Sequence, residues 1–304
     1  MRQRLGNRLA LVMSSRVQLP LPLRLVRSLR SLRLVRGGLA FARVALPRYA
    51  GREFIVDNGP NRYVCDLSSY IEWNLAVFAD YEGPEKTLFA QVLKAGEKRV
   101  MLDIGANVGV HSLCFARVMQ QVVAFEPNPE VFVRLQQNIA LNPDVTVTSH
   151  CVGLGDVPGV LRFYQPAYEN KGTGTFDPAS APHQYTTLDL PVMRADDFLA
   201  QHAIDGIDAV KIDVQGYEPN VLAGMAATLA AHRPIVWMEV SQPTIGELDR
   251  RGGLTALVPA GYRMYRFRTA YRYMLFHHTR LEACASLDPR EEGDYLLVPD
   301  GYAL

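Results

Sequence analysis

An α/β fold, with a mostly parallel sheet covered by helices on both faces, is predicted by three features of this 304-residue sequence. Short apolar runs of strand length alternate along the chain with stretches of helix length, the pattern of successive βα units. The run VMLDI at 100–104 is apolar at every position except Asp103, as a strand buried on both faces requires. Toward the end the pattern changes. Residues 262–267 and 295–298 alternate in polarity and predict an antiparallel hairpin that closes the sheet.

Residues 1–52 form an extension with twelve arginines and no Asp, Glu or Lys. Arg24, Arg27, Arg30, Arg33 and Arg36 recur every third residue among leucines and valines, as in a basic amphipathic helix. Peripheral contact with an anionic membrane, organellar targeting and packing on its own domain all fit that pattern. Residues 53–304 are expected to form one domain carrying 20 basic against 31 acidic residues, a balance that disfavours a nucleic-acid partner. The run at 262–278 interleaves arginines with aromatics, which suits nucleic acid, a sugar ring or plain core packing. Cys65, Cys114, Cys151 and Cys284 lack C-x-x-C spacing and read as reduced packing residues of a cytoplasmic protein. No stretch is long and charge-free enough to span a bilayer.

Along the domain, a hairpin is expected around Asp57-Asn58-Gly59-Pro60, then a helix over 84–95 and the strand over 100–104. A helix over 110–119 and a strand over 122–125 follow. Asn128 as N-cap and Pro129 as first helical residue open a helix over 129–141. Next come a strand over 145–152, a turn at Gly153, Gly155 and Asp156, and a strand over 160–164. The Gly-, Pro-, Ser- and Thr-rich stretch 165–184 reads as a lid-like loop over a site. Strands over 186–192, 209–214 and 235–240 then alternate with helices over 195–201, 219–231 and 244–258.

The chemistry concentrates at the strand ends. Gly105 and Gly109 bracket Ala106, Asn107 and Val108, so the backbone can turn tightly and a ligand can approach it. Glu126 lies 21 residues beyond Gly105, the distance at which an acid accepts ribose hydroxyls in nucleotide-type sites. Asp103, Glu126, Asp213 and Glu239 would all face the crevice at the carboxyl ends of the strands. Asp213 is the candidate general base, with Glu239 beside it, and His111 at the start of a helix is the alternative base. A dinucleotide fingerprint needs glycine where Asn107 stands, which disfavours a nicotinamide oxidoreductase. That reading and a non-catalytic cofactor-binding domain remain the alternatives.

Six segments occur in one order: YEGPE (81–85), LDIGANVGVHSL (102–113), VAFEPNP (123–129), VGLGD (152–156), VKIDVQGYEPNVLAGM (210–225) and IVWMEV (235–240). Together they resemble the FkbM-type family of S-adenosylmethionine-dependent methyltransferases. The resemblance implies a Rossmann-like class I methyltransferase fold with a seven-stranded sheet. It also implies O-methylation of a small-molecule or glycan acceptor, a hydroxyl of a sugar, glycoconjugate or polyketide-type product. Glu126 would hold the ribose of S-adenosyl-L-methionine, with Asp103, Gly105, Asn107 and Gly109 shaping the cofactor's bed. Tyr81, Glu82 and Ser112 would lie near its methionine end and Asp156 near its adenine. In related architectures acids at the fourth and fifth strand ends hold Mg2+, which here would be Asp213 and Glu239. The family usually carries glutamate where this chain has Gln215, a departure that weakens the metal set while Asp213 and Glu218 remain.

Overall fold

In the computed structural model, residues 19–30, 51–167, 171–272 and 276–304 are described. An antiparallel hairpin of β1 (Glu53–Asn58) and β2 (Asn61–Asp66) precedes two helices, Tyr70–Phe78 and Gly83–Lys94. The βα series follows with β3 (Val100–Ile104), β4 (Gln121–Phe125) and β5 (Val147–His150). Three strands, β6 (Gly153–Gly155), β7 (Gly159–Pro166) and β8 (Tyr185–Arg194), make a small separate sheet in the order β6-β8-β7. The remaining strands are β9 (Ile207–Ile212), β10 (Ile235–Val240), β11 (Tyr262–Arg272), β12 (Phe276–Cys284) and β13 (Gly293–Pro299).

Among the described residues the main sheet has eight strands in the order β12-β11-β13-β10-β9-β3-β4-β5. β5, β4, β3, β9 and β10 run parallel, whereas β13 is antiparallel to both β10 and β11. This is the expected mostly parallel seven-stranded sheet with one added edge strand. Because β4 and β9 flank β3 on opposite sides, the chain reverses direction across the sheet there, and a crevice opens at the strand ends.

Several expectations need correction. The eighth strand, β12, was not foreseen: FHHTRLEAC has no clean alternation, and its pairing with β11 supplies the order instead. Gly153–Gly155 is a strand rather than a turn, paired in parallel with β8. The helix Tyr70–Phe78 was missed because five of its nine residues are buried apolar side chains with little helical periodicity. The helix expected over 219–231 is two, Glu218–Gly224 and Ala226–His232, broken at Met225. Between Gln242–Arg250 and Leu254–Leu257, Gly252 and Gly253 adopt φ of 87° and 89° and divide the helix expected over 244–258.

The sheet is buried on both faces. Leu102, Val123, Val210 and Val236 face one layer, while Met101, Val122, Ala209 and Trp237 face the other. The helix Leu21–Arg30 buries Leu23 and packs on Tyr70–Phe78. There Arg27 donates to the carbonyls of Leu75 (3.2 Å) and Ala76 (2.9 Å), the favourable place for a cation at a helix C-terminus. Arg33, Arg36 and the rest of 1–52 other than 19–30 and 51–52 lie outside the described residues, as do positions 273–275 of the aromatic run. Among the described residues no helix is long and apolar enough to cross a membrane.

Candidate active site

The candidate cofactor bed starts at the end of β3. Gly105 has φ 85°, and a Cβ there would lie 1.9 Å from the Asp213 carbonyl oxygen, so the β3 and β9 turns can approach only over a glycine. Gly105→Ala is therefore expected to destabilise the fold by more than about 1 kcal/mol, read as a lower melting temperature. Asn107 is left-handed at φ 51°, which turns its N–H onto Glu126 Oε2 at 3.0 Å. Asn128 N–H reaches Oε1 at 2.9 Å, so each carboxylate oxygen of Glu126 accepts one backbone donor. Burial nevertheless pushes the Glu126 pKa up to about 7 against those two hydrogen bonds.

A narrow cleft runs between Glu126, Gly105, Gly153, Gly174, Phe176 and Tyr217. Its walls are largely glycine backbone and aromatic rings, with Phe176 centred 5.6 Å from Tyr217. The Asn107 amide is spent on structure: Oδ1 accepts from Val108 N–H, and Nδ2 donates to the Gly172 carbonyl at 3.0 Å. Gly109, at φ 88°, starts the helix Val110–Phe115. Asp156 does not line the cleft. It accepts from Asn220 Nδ2 at 3.3 Å and pairs with Arg251 Nη1 at 2.9 Å.

A second group of polar side chains adjoins this cleft through Asp213. The period of two along each strand places Asp103, Lys211 and Glu239 on the same face as Met101, Ala209 and Trp237. Register then makes them neighbours, with Lys211 opposite both Asp103 and Trp237, and Glu239 opposite Asp294. Lys211 Nζ lies 2.7 Å from Asp213 Oδ2 and 5.5 Å from the Trp237 ring centroid. Burial alone would lower the lysine pKa, yet Asp213, Glu82 and Asp103 together raise it. Burial likewise opposes ionisation of Asp213, and the Lys211 ammonium wins, holding its carboxyl below the usual range.

Around that pair, Glu82 stands at φ 52° at the start of Gly83–Lys94 and reaches to 3.0 Å from His111 Nε2. The two groups touch without the alignment of a hydrogen bond. Against its own burial, Glu82 is drawn down to about 2 by His111 and Lys211. Burial and Lys211 lower the His111 pKa, so the imidazole is held neutral between Phe115, Trp237 and Tyr81. Burial raises the Tyr81 pKa, with Glu82 and Asp213 adding to it, and keeps the phenol protonated. Asp103 is fully buried; Ser112 Oγ donates to its Oδ2, and its Oδ1 has no hydrogen-bond partner among the described residues. Burial, Asp213 and Glu218 push Glu239 up to about 10. Burial and Glu82 push Asp294 up to about 7 despite the 2.8 Å bond from Trp237 Nε1.

Lys211 and Asp294 escaped the sequence reading. A lysine at an inward position of the apolar strand AVKI was the available signal for the first. Mg2+ does not fit Asp213 and Glu239: Lys211 occupies one oxygen of Asp213, and the Gln215 amide donates to the other at 3.1 Å and to Glu239 Oε2 at 2.6 Å. Among the described residues no three His, Cys, Asp or Glu side chains are grouped to hold a metal.

Residues 103–281 match the methyltransferase FkbM domain. The chain is 29% identical over 153 residues to hexuronic acid methyltransferase AglP of Haloferax volcanii, covering 49% of this chain and 59% of that protein. It is 28% identical over 175 residues to 2-O-methyltransferase NoeI of Sinorhizobium fredii, covering 52% and 70%. With 31-O-demethyl-FK506 methyltransferase FkbM of Streptomyces tacrolimicus it shares 30% over 158 residues, covering 41% and 59%. The crystal structure of methyltransferase FkbM from Methylobacillus flagellatus superposes with a TM-score of 0.45 at 17% identity, covering 86% of this chain and 60% of that one. Since the domain match extends over more than half of its length, this chain belongs to the FkbM methyltransferase family.

Proposed function

We propose that the protein is an S-adenosylmethionine-dependent O-methyltransferase whose acceptor is a hydroxyl of a sugar, glycoconjugate or polyketide-type compound. The observation that carries this reading is Glu126, with one backbone N–H on each oxygen in the lining of a cleft that four glycines help to form. The cleft suits the cofactor: Glu126 would take the ribose hydroxyls, the Gly105 turn would admit its backbone-facing edge, and Phe176 and Tyr217 would flank the flat base. When bound, S-adenosylmethionine supplies a methyl group already activated on a sulfonium. The protein must then align an acceptor oxygen and receive its proton. Asp213 suits that work, because it lines the same cleft and Lys211 keeps it ionised. Glu239, held protonated, is suited to hydrogen-bonding the acceptor. His111 is neutral but only 7% exposed, which makes it the weaker base. Two relatives' names, for a 2-O and a 31-O position, support an oxygen acceptor, and a third, for a hexuronic acid, supports a sugar.

Calorimetric titration with S-adenosylmethionine, its demethylated product and NADH tests the reading. Binding of the first two is expected, weakened about 10–150-fold by Glu126→Ala, the equivalent of roughly 1.5–3 kcal/mol for charge-assisted hydrogen bonds. Because the ionised carboxylate is the acceptor of the ribose hydroxyls and its pKa sits at about 7, affinity should fall as pH drops below that value. NADH binding without S-adenosylmethionine binding would overturn the proposal.

A further inference from the structure

We propose that Gln215 is a positioning residue whose side-chain amide does between Asp213 and Glu239 what a divalent cation would otherwise do, so that this part of the site works without a metal. Calling that part the acceptor side rests on the proposed function; the geometry does not. Two carboxyl groups that converge, Asp213 ionised and Glu239 protonated, still present oxygens that need donors between them. Here Gln215 Nε2 carries two hydrogens and meets both, Asp213 Oδ1 at 3.1 Å and Glu239 Oε2 at 2.6 Å. Lys211 already covers the other Asp213 oxygen. Each carboxylate is thereby held by a neutral or cationic donor from the chain itself.

The backbone shows that this placement is enforced. Gln215 has φ 54° and Gly216 follows at 97°, and a non-glycine residue in the left-handed region persists only where its surroundings over-determine it. Glu218 does so. Its fully buried carboxylate accepts from Val214 N–H at 3.0 Å, from Gly216 N–H at 3.0 and 3.2 Å, and from Thr244 Oγ1 at 2.7 Å. The turn is clamped at both ends, and the residue in its middle is aimed across the strand ends at Glu239. Glutamate at 215 would have the same reach but would set a third carboxylate against two others, an oxygen-rich set that suits a hard cation.

The test measures Mn2+ uptake by the full chain, using electron paramagnetic resonance of the free ion and calorimetry. Wild type is expected to show no Mn2+ site that depends on Asp213. Gln215→Glu is expected to take up one Mn2+ per chain at about 0.1–1 mM, the range of sparse oxygen sites, and to lose it in the double variant with Asp213→Asn. Mn2+ bound by wild type and released by Asp213→Asn would overturn the proposal, as would a folded Gln215→Glu variant that binds none. A second pair of variants covers the case in which Gln215→Glu does not fold. Gln215→Met keeps the length and removes the donors, so its melting temperature should fall, and the fall should be smaller in a Glu239→Met background, where one of the two acceptors is already gone. An equal fall in both backgrounds would overturn the clamp. None of these readouts uses methyl transfer, so failure of S-adenosylmethionine binding would remove the functional reading alone.

Discussion

Asp213→Asn is expected to reduce methyl transfer by about two to four orders of magnitude, the usual worth of a positioned general base, and to leave cofactor affinity within a few-fold. The separation of the two effects follows from where the side chain stands. Asp213 lines the cleft, but the carboxylate proposed to face the cofactor is Glu126, held by the Asn107 and Asn128 backbone independently of β9. Asparagine keeps the size of Asp213 and loses both the charge and the ability to take a proton. Single-turnover rates with an acceptor found by screening, beginning with deoxysugars, would be compared with calorimetric affinity for S-adenosylmethionine. Full activity in the variant would remove Asp213 from the mechanism and direct attention to His111.

Lys211→Met should cost the fold about 3–5 kcal/mol, the penalty for leaving buried charge without its partner. The lysine is 2% exposed and is the cation shared by Asp213, Glu82 and Asp103, so its loss leaves three carboxyl groups facing one another in an apolar layer. The sign with pH is testable. In wild type, Lys211 depresses the Asp213 pKa, which contributes stability above the ordinary aspartate value of 3.8 that is lost as pH falls through the lowered one. The variant lacks this contribution. The gap between the two proteins in urea denaturation should therefore be wide at neutral pH and narrow in acid, where protonated carboxyls need no counter-charge. A gap independent of pH would mean that Lys211 acts through packing alone.

What could be read from the sequence follows from where the information resides. The parallel strands were legible because burial on both faces demands continuous apolar runs, and Val100–Ile104, Gln121–Phe125 and Ile235–Val240 fall close to where they were expected. Glycine turns and acids at strand ends are local patterns, so Gly105, Glu126 and Asp213 could be singled out. Sequence alone could not show that the Asn107 amide would reach Gly172, or that Arg251 would claim Asp156, because both pairings join segments 65 and 95 residues apart. Tyr70–Phe78 failed for another reason: a helix apolar nearly all round has no stripe to detect. β12 failed because an edge strand is specified by its partner, β11, more than by its own polarity.

The position of β13 has a consequence for how the protein is made. It is the last strand in the described chain, yet it lies inside the sheet between β10 and β11, pairing Trp237 with Leu296 and Tyr265 with the same residue on its other edge. A chain emerging from the ribosome N-terminus first can assemble β3, β4 and β9, and with them the Glu126 and Asp213 sides of the cleft, while β10 still has an unfilled edge. Asp294, opposite Glu239 and bonded to Trp237, arrives only with that final strand. The nascent protein would thus hold a nearly complete glycine-lined cleft before the acidic cluster beside it is closed, and translation itself would set the order in which the two halves of the candidate site come into being.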